Sequence, residues 1–232
     1  MERQRNEGPL LVVIKLGGSL YDLDGLPDLL AQLRDWFLPG GCYARATPLL
    51  LPGGGKTADV VRDWQQIHAI DEDQAHWLAC EALDLNARLI QSILPQSVIV
   101  DDPLSAHAAW EEGRFPLLAT SHALKREEQF SWHQEPSAPG HPGEPLPHIW
   151  DVTSDSLAAW LALRFGAERL LLIKSVPVPA SRHVTEAARR GWVDPYFPGL
   201  AGHLPVIDWC DGRSLPLRYT TWLESGLPVG SA

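Results

Sequence analysis

Residues 11–20 read LVVIKLGGSL. The run Leu11 to Leu16, with β-branched Val12, Val13 and Ile14 at its centre, has the length and composition of a buried strand, and Gly17, Gly18 and Ser19 close it. One lysine, Lys15, interrupts it. An ammonium buried among apolar side chains is costly without an anionic partner, so Lys15 is expected to emerge at the strand end and meet one. A phosphate suits that end: Gly17 and Gly18 let backbone N–H groups approach phosphate oxygens, Ser19 adds a hydroxyl, and the positive end of a following helix favours the same anion. A buried strand ending in a tight turn, with no ligand, explains this stretch equally well.

A second glycine cluster tips the balance. Leu49-Leu50-Leu51-Pro52-Gly53-Gly54-Gly55-Lys56 again reads as strand, tight turn and polar helix start. Two strand ends that both present bare backbone suit a phosphoryl donor and an acceptor facing each other. Neither cluster has the G-x-x-x-x-G-K-[ST] spacing of a P-loop or the G-x-G-x-x-G of a dinucleotide fold, so those readings drop out.

Composition sets the bounds. A chain of 232 residues, 45% hydrophobic and 21% charged, suits one α/β domain spanning residues 1–232. A net charge of −10 argues against a nucleic-acid surface. Cys42, Cys80 and Cys210 are scattered, with no zinc or redox spacing. The start MERQRNEGP lacks the apolar region of a signal peptide, and no apolar run approaches the roughly 20 residues of a membrane span. The expectation is a soluble, cytoplasmic protein with no membrane partner.

Along the chain, strands and helices alternate. Leu26, Leu29, Leu30, Leu33 and Phe37 recur at helical spacing, and Thr57 to Ile70 follows as a polar helix. Asp71 with Gln74 three residues on opens a third helix, whose apolar stripe reads Leu78, Ala82, Leu85, Leu89, Ile93. His76, Trp77 and Cys80 fall on other faces, so this helix is expected either at the centre of the fold or in the interface of a homo-oligomer. Ser97 to Val100 and Phe115 to Ala119 read as strands, and Asp101-Asp102-Pro103 as a turn and helix cap rather than a metal site.

Residues 131–148, SWHQEPSAPGHPGEPLPH, form a Pro/Gly-rich surface loop in which His133, His141 and His148 are too irregularly spaced to predict a metal site. In IWDVTSDSLAAWLALRFG, residues 149–166, five polar residues from Asp151 to Ser156 crowd a helix start that needs only one for capping. Asp155 there could hold lysines in place between phosphates, or merely cap. Arg169 to Lys174, RLLLIK, repeats the design of the first strand, with a lysine at its exit. Beyond it, His183 to Arg190 reads as a short helix, Leu204 to Trp209 as a strand and Leu217 to Ser225 as a last helix. Trp192, Asp194, Tyr196 and Phe197 fit either a core or a ring-binding pocket.

The IKLGGS of Ile14 to Ser19, the LPGGG of Leu51 to Gly55, and the D-x-T-x-D of Asp151 to Asp155 followed by a helix and RLLLIKSV resemble the amino acid kinase family, in family order across most of Leu11 to Val176. The resemblance implies a three-layer αβα sandwich around a mainly parallel sheet of about eight strands. It also implies ATP and Mg²⁺ as cofactors and a small-molecule substrate. By motif matching, Lys15 would stabilise the transferring phosphoryl group, with Lys174 the candidate second lysine and Asp155 organising both. Gly17, Gly18, Ser19 and Ser175 would bind donor phosphates; Gly53, Gly54 and Gly55 would hold the acceptor, with Asp151 and Thr153 lining its pocket. Within the family, PGGGKTADVVR, AHWLA and PHIWDVTSDSLAAW most resemble the members that phosphorylate an aminomethylfuran-methyl phosphate in methanofuran synthesis. That acceptor's ammonium would suit Asp151 and its ring Trp150 or Tyr196, with no arginine expected close to Asp151 to Ser156.

The chain departs from the family after Lys174, where Ser175-Val176-Pro177-Val178-Pro179 replaces a D-x-x-G-V stretch and two prolines remove N–H donors. The family's later glycine-rich lysine segment has no counterpart. Two readings stand at this point: an ATP-dependent kinase for a small phosphorylated acceptor, and a non-catalytic binder or storage protein on the same fold.

Overall fold

The computed structural model describes residues 10–131 and 144–225; His133 and His141 lie outside them. One seven-stranded sheet runs in the order β3-β4-β2-β1-β5-β6-β7. Its strands are β1 (Leu10–Leu16), β2 (Ala46–Pro52), β3 (Ser97–Val100), β4 (Phe115–Leu118), β5 (Arg169–Lys174), β6 (Val206–Asp211) and β7 (Tyr219–Glu224). All pair in parallel except β6 with β7.

Parallel neighbours require crossovers, and helices supply them. These are α1 (Leu26–Asp35), α2 (Gly55–His68), α3 (Glu72–Ile93), α4 (Pro103–Glu111), α5 (Thr120–Ser131), α6 (Ser154–Arg164), α7 (Val184–Arg189) and α8 (Phe197–Ala201). Burial on both faces explains why β1 and β2 read as mostly apolar runs without alternation. Alternate residues of the central strands feed two separate cores: Val13, Leu49, Leu51, Leu170 and Leu172 pack with α6, while Val12, Ile14, Leu50, Leu171 and Ile173 pack with α1. The result is the expected αβα sandwich.

Several expectations change. The sheet has seven strands among the described residues, one fewer than about eight. Leu217 to Ser225 is not a last helix: Tyr219–Glu224 is β7, antiparallel to β6. Its aromatic and β-branched residues Tyr219, Thr220, Thr221 and Trp222 favour a pleated surface, and Trp222 is buried in the core. The stripe assigned to α3 is also rotated. Asp71 caps that helix, accepting from the Gln74 N–H, but its buried residues include Ala75, His76, Cys80, Leu83, Asn86, Ala87 and Ile90, whereas Leu85 and Leu89 are exposed. Of the expected stripe Ala82 is buried, but the stripe passed over Leu83 and Ile90 and a face otherwise made of alanine, cysteine and polar side chains. Asp102 caps α4 through a reciprocal capping box with Ser105, as the turn reading expected.

Candidate active site

In a parallel sheet the C-terminal strand ends lie together, and ligands gather beyond them. Lys15 pairs with Leu172 in the β1–β5 register. Lys174, two residues further along β5, therefore points to the same face. The first turn of α6 covers that face and brings Asp155 between them. Asp155 Oδ1 lies 2.8 Å from Lys15 Nζ, and Lys174 Nζ donates to both its oxygens at 2.9 and 2.8 Å.

All three side chains are almost wholly buried. Burial opposes the charge on Asp155, but the two lysines outweigh it and hold the carboxyl down at about 2. Burial, helped by the Lys15 charge, lowers Lys174 to about 8 against the pull of Asp155. The carboxylate thus carries two ammoniums at one point beside the glycine turns.

Asp155 is not the helix cap. Thr153 occupies the N-cap position without a side-chain cap bond of its own, and capping comes from Asp194, 41 residues downstream. Asp194 accepts from the Thr153 N–H and hydroxyl at 3.0 and 2.8 Å and from the Ser156 N–H and hydroxyl at 2.9 and 2.5 Å. It also accepts from the N–H groups of Tyr196 and Phe197. One carboxylate thereby fixes the start of α6, and with it Asp155. Phe197 packs in the core, and neither Trp192 nor Tyr196 lines the cleft described below.

The two glycine clusters meet. A Cβ on Gly18 would lie 2.1 Å from the Gly55 nitrogen, and one on Gly53 would lie 2.5 Å from the Gly18 nitrogen. Gly55 also has a φ of +55°, a conformation that favours glycine. The glycines are thus needed first for the approach of one strand-end turn to the other. The Asn86 amide, buried on α3, donates to the Gly53 and Gly54 carbonyls at 2.7 and 2.8 Å, and the Tyr21 hydroxyl donates to Gly53 at 3.0 Å. Across the other seam, the Gly17 N–H donates to the Ile173 carbonyl at 2.8 Å and the Ser19 hydroxyl to Ser175 Oγ at 2.9 Å.

A cleft of about 230 Å³ opens beside this junction, lined by Gly18, Gly55, Arg62, Glu72, Trp150 and Thr153 among others. The Arg62 guanidinium stacks 4.4 Å over the Trp150 ring, and the Trp150 indole N–H donates to Gln65. The expectation of no arginine near Asp151 to Ser156 is corrected: α2 carries one there. Gly55, Ala58, Asp59 and Arg62 all line the cleft, and their helical spacing was a readable signal. Thr153 lines it too, but its hydroxyl is committed to Asp194. Asp151 is exposed and outside the lining, Tyr196 is half-buried and also outside it, and the acidic groups facing the cleft are Asp59 and Glu72. His76, also in the lining, is kept neutral, its imidazole lowered to about 4 by burial and by the neighbouring His148.

After Lys174 the chain turns through Ser175–Pro179, where the Val176 carbonyl accepts from the Trp209 indole at 3.0 Å. Pro177, Val178, Trp209 and Asp211 line a separate cleft of about 340 Å³.

Residues 11–178 match the family model described as the amino acid kinase family. No curated protein matches the chain. Among solved structures, uridylate kinase from Archaeoglobus fulgidus is 16% identical over 85% of this chain and 89% of its own, with a TM-score of 0.53. UMP kinase from Ureaplasma parvum is 12% identical over 88% of this chain and 89% of its own, TM-score 0.55. Aspartate kinase from Synechocystis is 18% identical over 95% of this chain but 42% of its own, TM-score 0.54. At such identities the likeness is one of fold. No helix among the described residues is long and apolar enough to cross a membrane.

Proposed function

The chain belongs to the amino acid kinase family, a family of kinases acting on small substrates, and from that premise we propose that it transfers the γ-phosphoryl group of ATP to a phosphate monoester, giving ADP and a diphosphate. The observation that carries this reading is the Lys15–Asp155–Lys174 cluster at the neighbouring ends of β1 and β5. The groups converging there suit a polyphosphate: two ammoniums, the paired hydroxyls of Ser19 and Ser175, and the Gly17–Gly18 turn. Bound Mg²⁺ would neutralise charge on the donor phosphates.

In the transfer, an acceptor phosphate oxygen bonds to the γ-phosphorus as the bridging bond to the β-phosphate breaks, and ADP leaves with that electron pair. Lys15 and Lys174 face the charge spread over the transferring oxygens, which is where preorganised cations lower the barrier. Asp155 keeps both lysines fixed and remains ionised. It need accept no proton, because a phosphate monoester is already an anionic nucleophile. Arg62 is the cleft cation best placed for the acceptor's phosphate.

The acceptor we propose is an aminomethylfuran-methyl phosphate, the substrate type suggested by the Pro147–Trp160 and Ala75–Ala79 stretches. Trp150 offers its flat ring, and Asp59 and Glu72 offer anionic partners for an ammonium. A second copy of the chain as partner is supported by Trp64, Ile67, Leu85 and Leu89, apolar side chains exposed on the packed helices α2 and α3; sedimentation tests it.

The deciding assay measures ADP release with Mg·ATP and each of aminomethylfuran-methyl phosphate, isopentenyl phosphate, UMP, acetylglutamate and aspartate. Preference for any of the last four rejects this acceptor and leaves the kinase reading standing. Silence on all five favours the non-catalytic binder.

A further inference from the structure

Beside the cleft, three segments distant in sequence bring ligating atoms together. His76 on α3, Glu128 on α5 and His148, ahead of α6, each place one nitrogen or oxygen within 4.8 Å of the others. His148 Nε2 lies 3.4 Å from Glu128 Oε1, close to the edge of about 3.3 Å that a tetrahedral ion with bonds of about 2.0–2.1 Å sets between two donors. The other nitrogen, His148 Nδ1, is 2.5 Å from Asp73 Oδ1. A carboxylate on the far side of the imidazole is the usual support of a metal-bound histidine, since it fixes the tautomer and aims the free lone pair. Cys80, one turn along α3, adds a sulfur 3.6 Å from His76 Nε2.

We propose that His76, Glu128 and His148 bind one zinc-class divalent ion, with Asp73 orienting His148, and that this ion staples α3 and α5 to the segment leading into Trp150 and Thr153. Two imidazoles, one carboxylate and a nearby thiol select a borderline transition metal over Mg²⁺, which prefers an all-oxygen octahedron. The site is therefore separate from any Mg²⁺ carried by a nucleotide. The His76 and His148 rings stack in parallel, 4.0 Å apart at 6°, so loading turns one ring about its Cβ–Cγ bond until both lone pairs meet at the ion. His76 and His148 also line the cleft, which places the ion in the wall of the pocket and leaves a coordination position for water or a ligand.

Binding is read directly, so the outcome does not depend on the kinase reading. Tag-free chain, stripped with a chelator, is dialysed against micromolar Zn²⁺ in excess Mg²⁺, and bound zinc is counted; Co²⁺ is substituted for its visible spectrum. The expected result is one zinc per chain and an intense tetrahedral-type Co²⁺ spectrum. Glu128→Gln and the His76→Ala/His148→Ala double variant should weaken zinc at least tenfold. Asp73→Asn, which leaves every ligand in place on an exposed side chain, should weaken it roughly 10–100-fold. Zinc held by the double variant as tightly as by the wild type, or no zinc retained by the wild type, overturns the site. If the double variant does not fold, unchanged affinity in Asp73→Asn overturns it.

Discussion

Replacing Asp155 by asparagine keeps its volume and removes the one anion between Lys15 and Lys174. In the native protein the carboxyl titrates at about 2 rather than 3.8, so the lysines favour its ionised form by about 2–3 kcal/mol beyond the cost of burial. This stability is present above about pH 4 and is lost as the pH falls toward 2. Losing one partner of a buried pair typically costs about 3–5 kcal/mol. Here the cost has an outlet. Lys174 already titrates at about 8, and Asp155 is the main influence holding it up, so in Asp155→Asn it gives up its proton near neutrality. The variant's native state then binds fewer protons than its unfolded state from about pH 6 upward, whereas the wild type reaches that condition only near 8. The stability gap should therefore be about 3–5 kcal/mol at pH 6 and narrow by pH 8. With one cation neutral and the other unanchored, kcat should fall about 10²–10³-fold at pH 7. Urea denaturation at pH 6, 7 and 8, with steady-state ADP release, measures both. Stability within about 1 kcal/mol at pH 6 together with near-native turnover would refute the reasoning, for it would leave Asp155 a spectator.

Lys15→Ala should abolish turnover by about 10³-fold or more while circular dichroism stays native; a folded variant with wild-type kcat would remove Lys15 from phosphoryl transfer. Because Lys174 loses its proton near pH 8, kcat/KM should decline above that pH, and Lys174→Arg, which stays charged, should retain more of its own neutral-pH rate at pH 9. A limb unchanged by the substitution would assign it to another group. Arg62→Met should raise the acceptor KM about tenfold with little change in the KM for ATP; equal effects on both would place Arg62 outside the acceptor subsite. Asp194→Ala removes acceptor oxygens from Thr153, Ser156, Tyr196 and Phe197 and should destabilise by about 3–5 kcal/mol; a loss below about 1 kcal/mol would show that water replaces it.

The fold was legible where period and composition agreed. β1, β2 and β5 are buried on both faces, so their apolar runs without alternation could belong to few other structures, and α1 and α6 announce themselves through proline or polar starts. Legibility failed where tertiary context chose between comparable local states. Residues 217–225 contain enough apolar side chains for a short helix, yet β6 offers them an open edge, and the buried Trp222 fixes the pleat. On α3 the error was one of phase: the expected stripe passed over Leu83 and Ile90 as well as the buried polar Asn86 and His76. Asn86 and His76 are buried there because a hydrogen bond to the glycine carbonyls and a stacked imidazole satisfy them, and neither partner is visible within one helix.

The site divides along the same line. The contact of Asp155 with Lys15 and Lys174 could be read in advance because each residue breaks its local pattern: two lysines lie at the ends of apolar strands, and one carboxylate exceeds what a helix start needs. Residues that satisfy another segment's needs leave no such mark. Asp194 sits in a turn of prolines and aromatics, yet it performs the capping that five polar residues near α6 do not. Because α6 is capped from outside, its own first turn is free to spend a carboxylate on two lysines. The departure of Ser175–Pro179 from the family pattern also takes on a physical meaning here. Lys174 precedes those prolines, and its ammonium is held by Asp155 rather than by the loop. A change in that loop can thus alter what lies beyond Lys174 while leaving the charge cluster at the two strand ends in place.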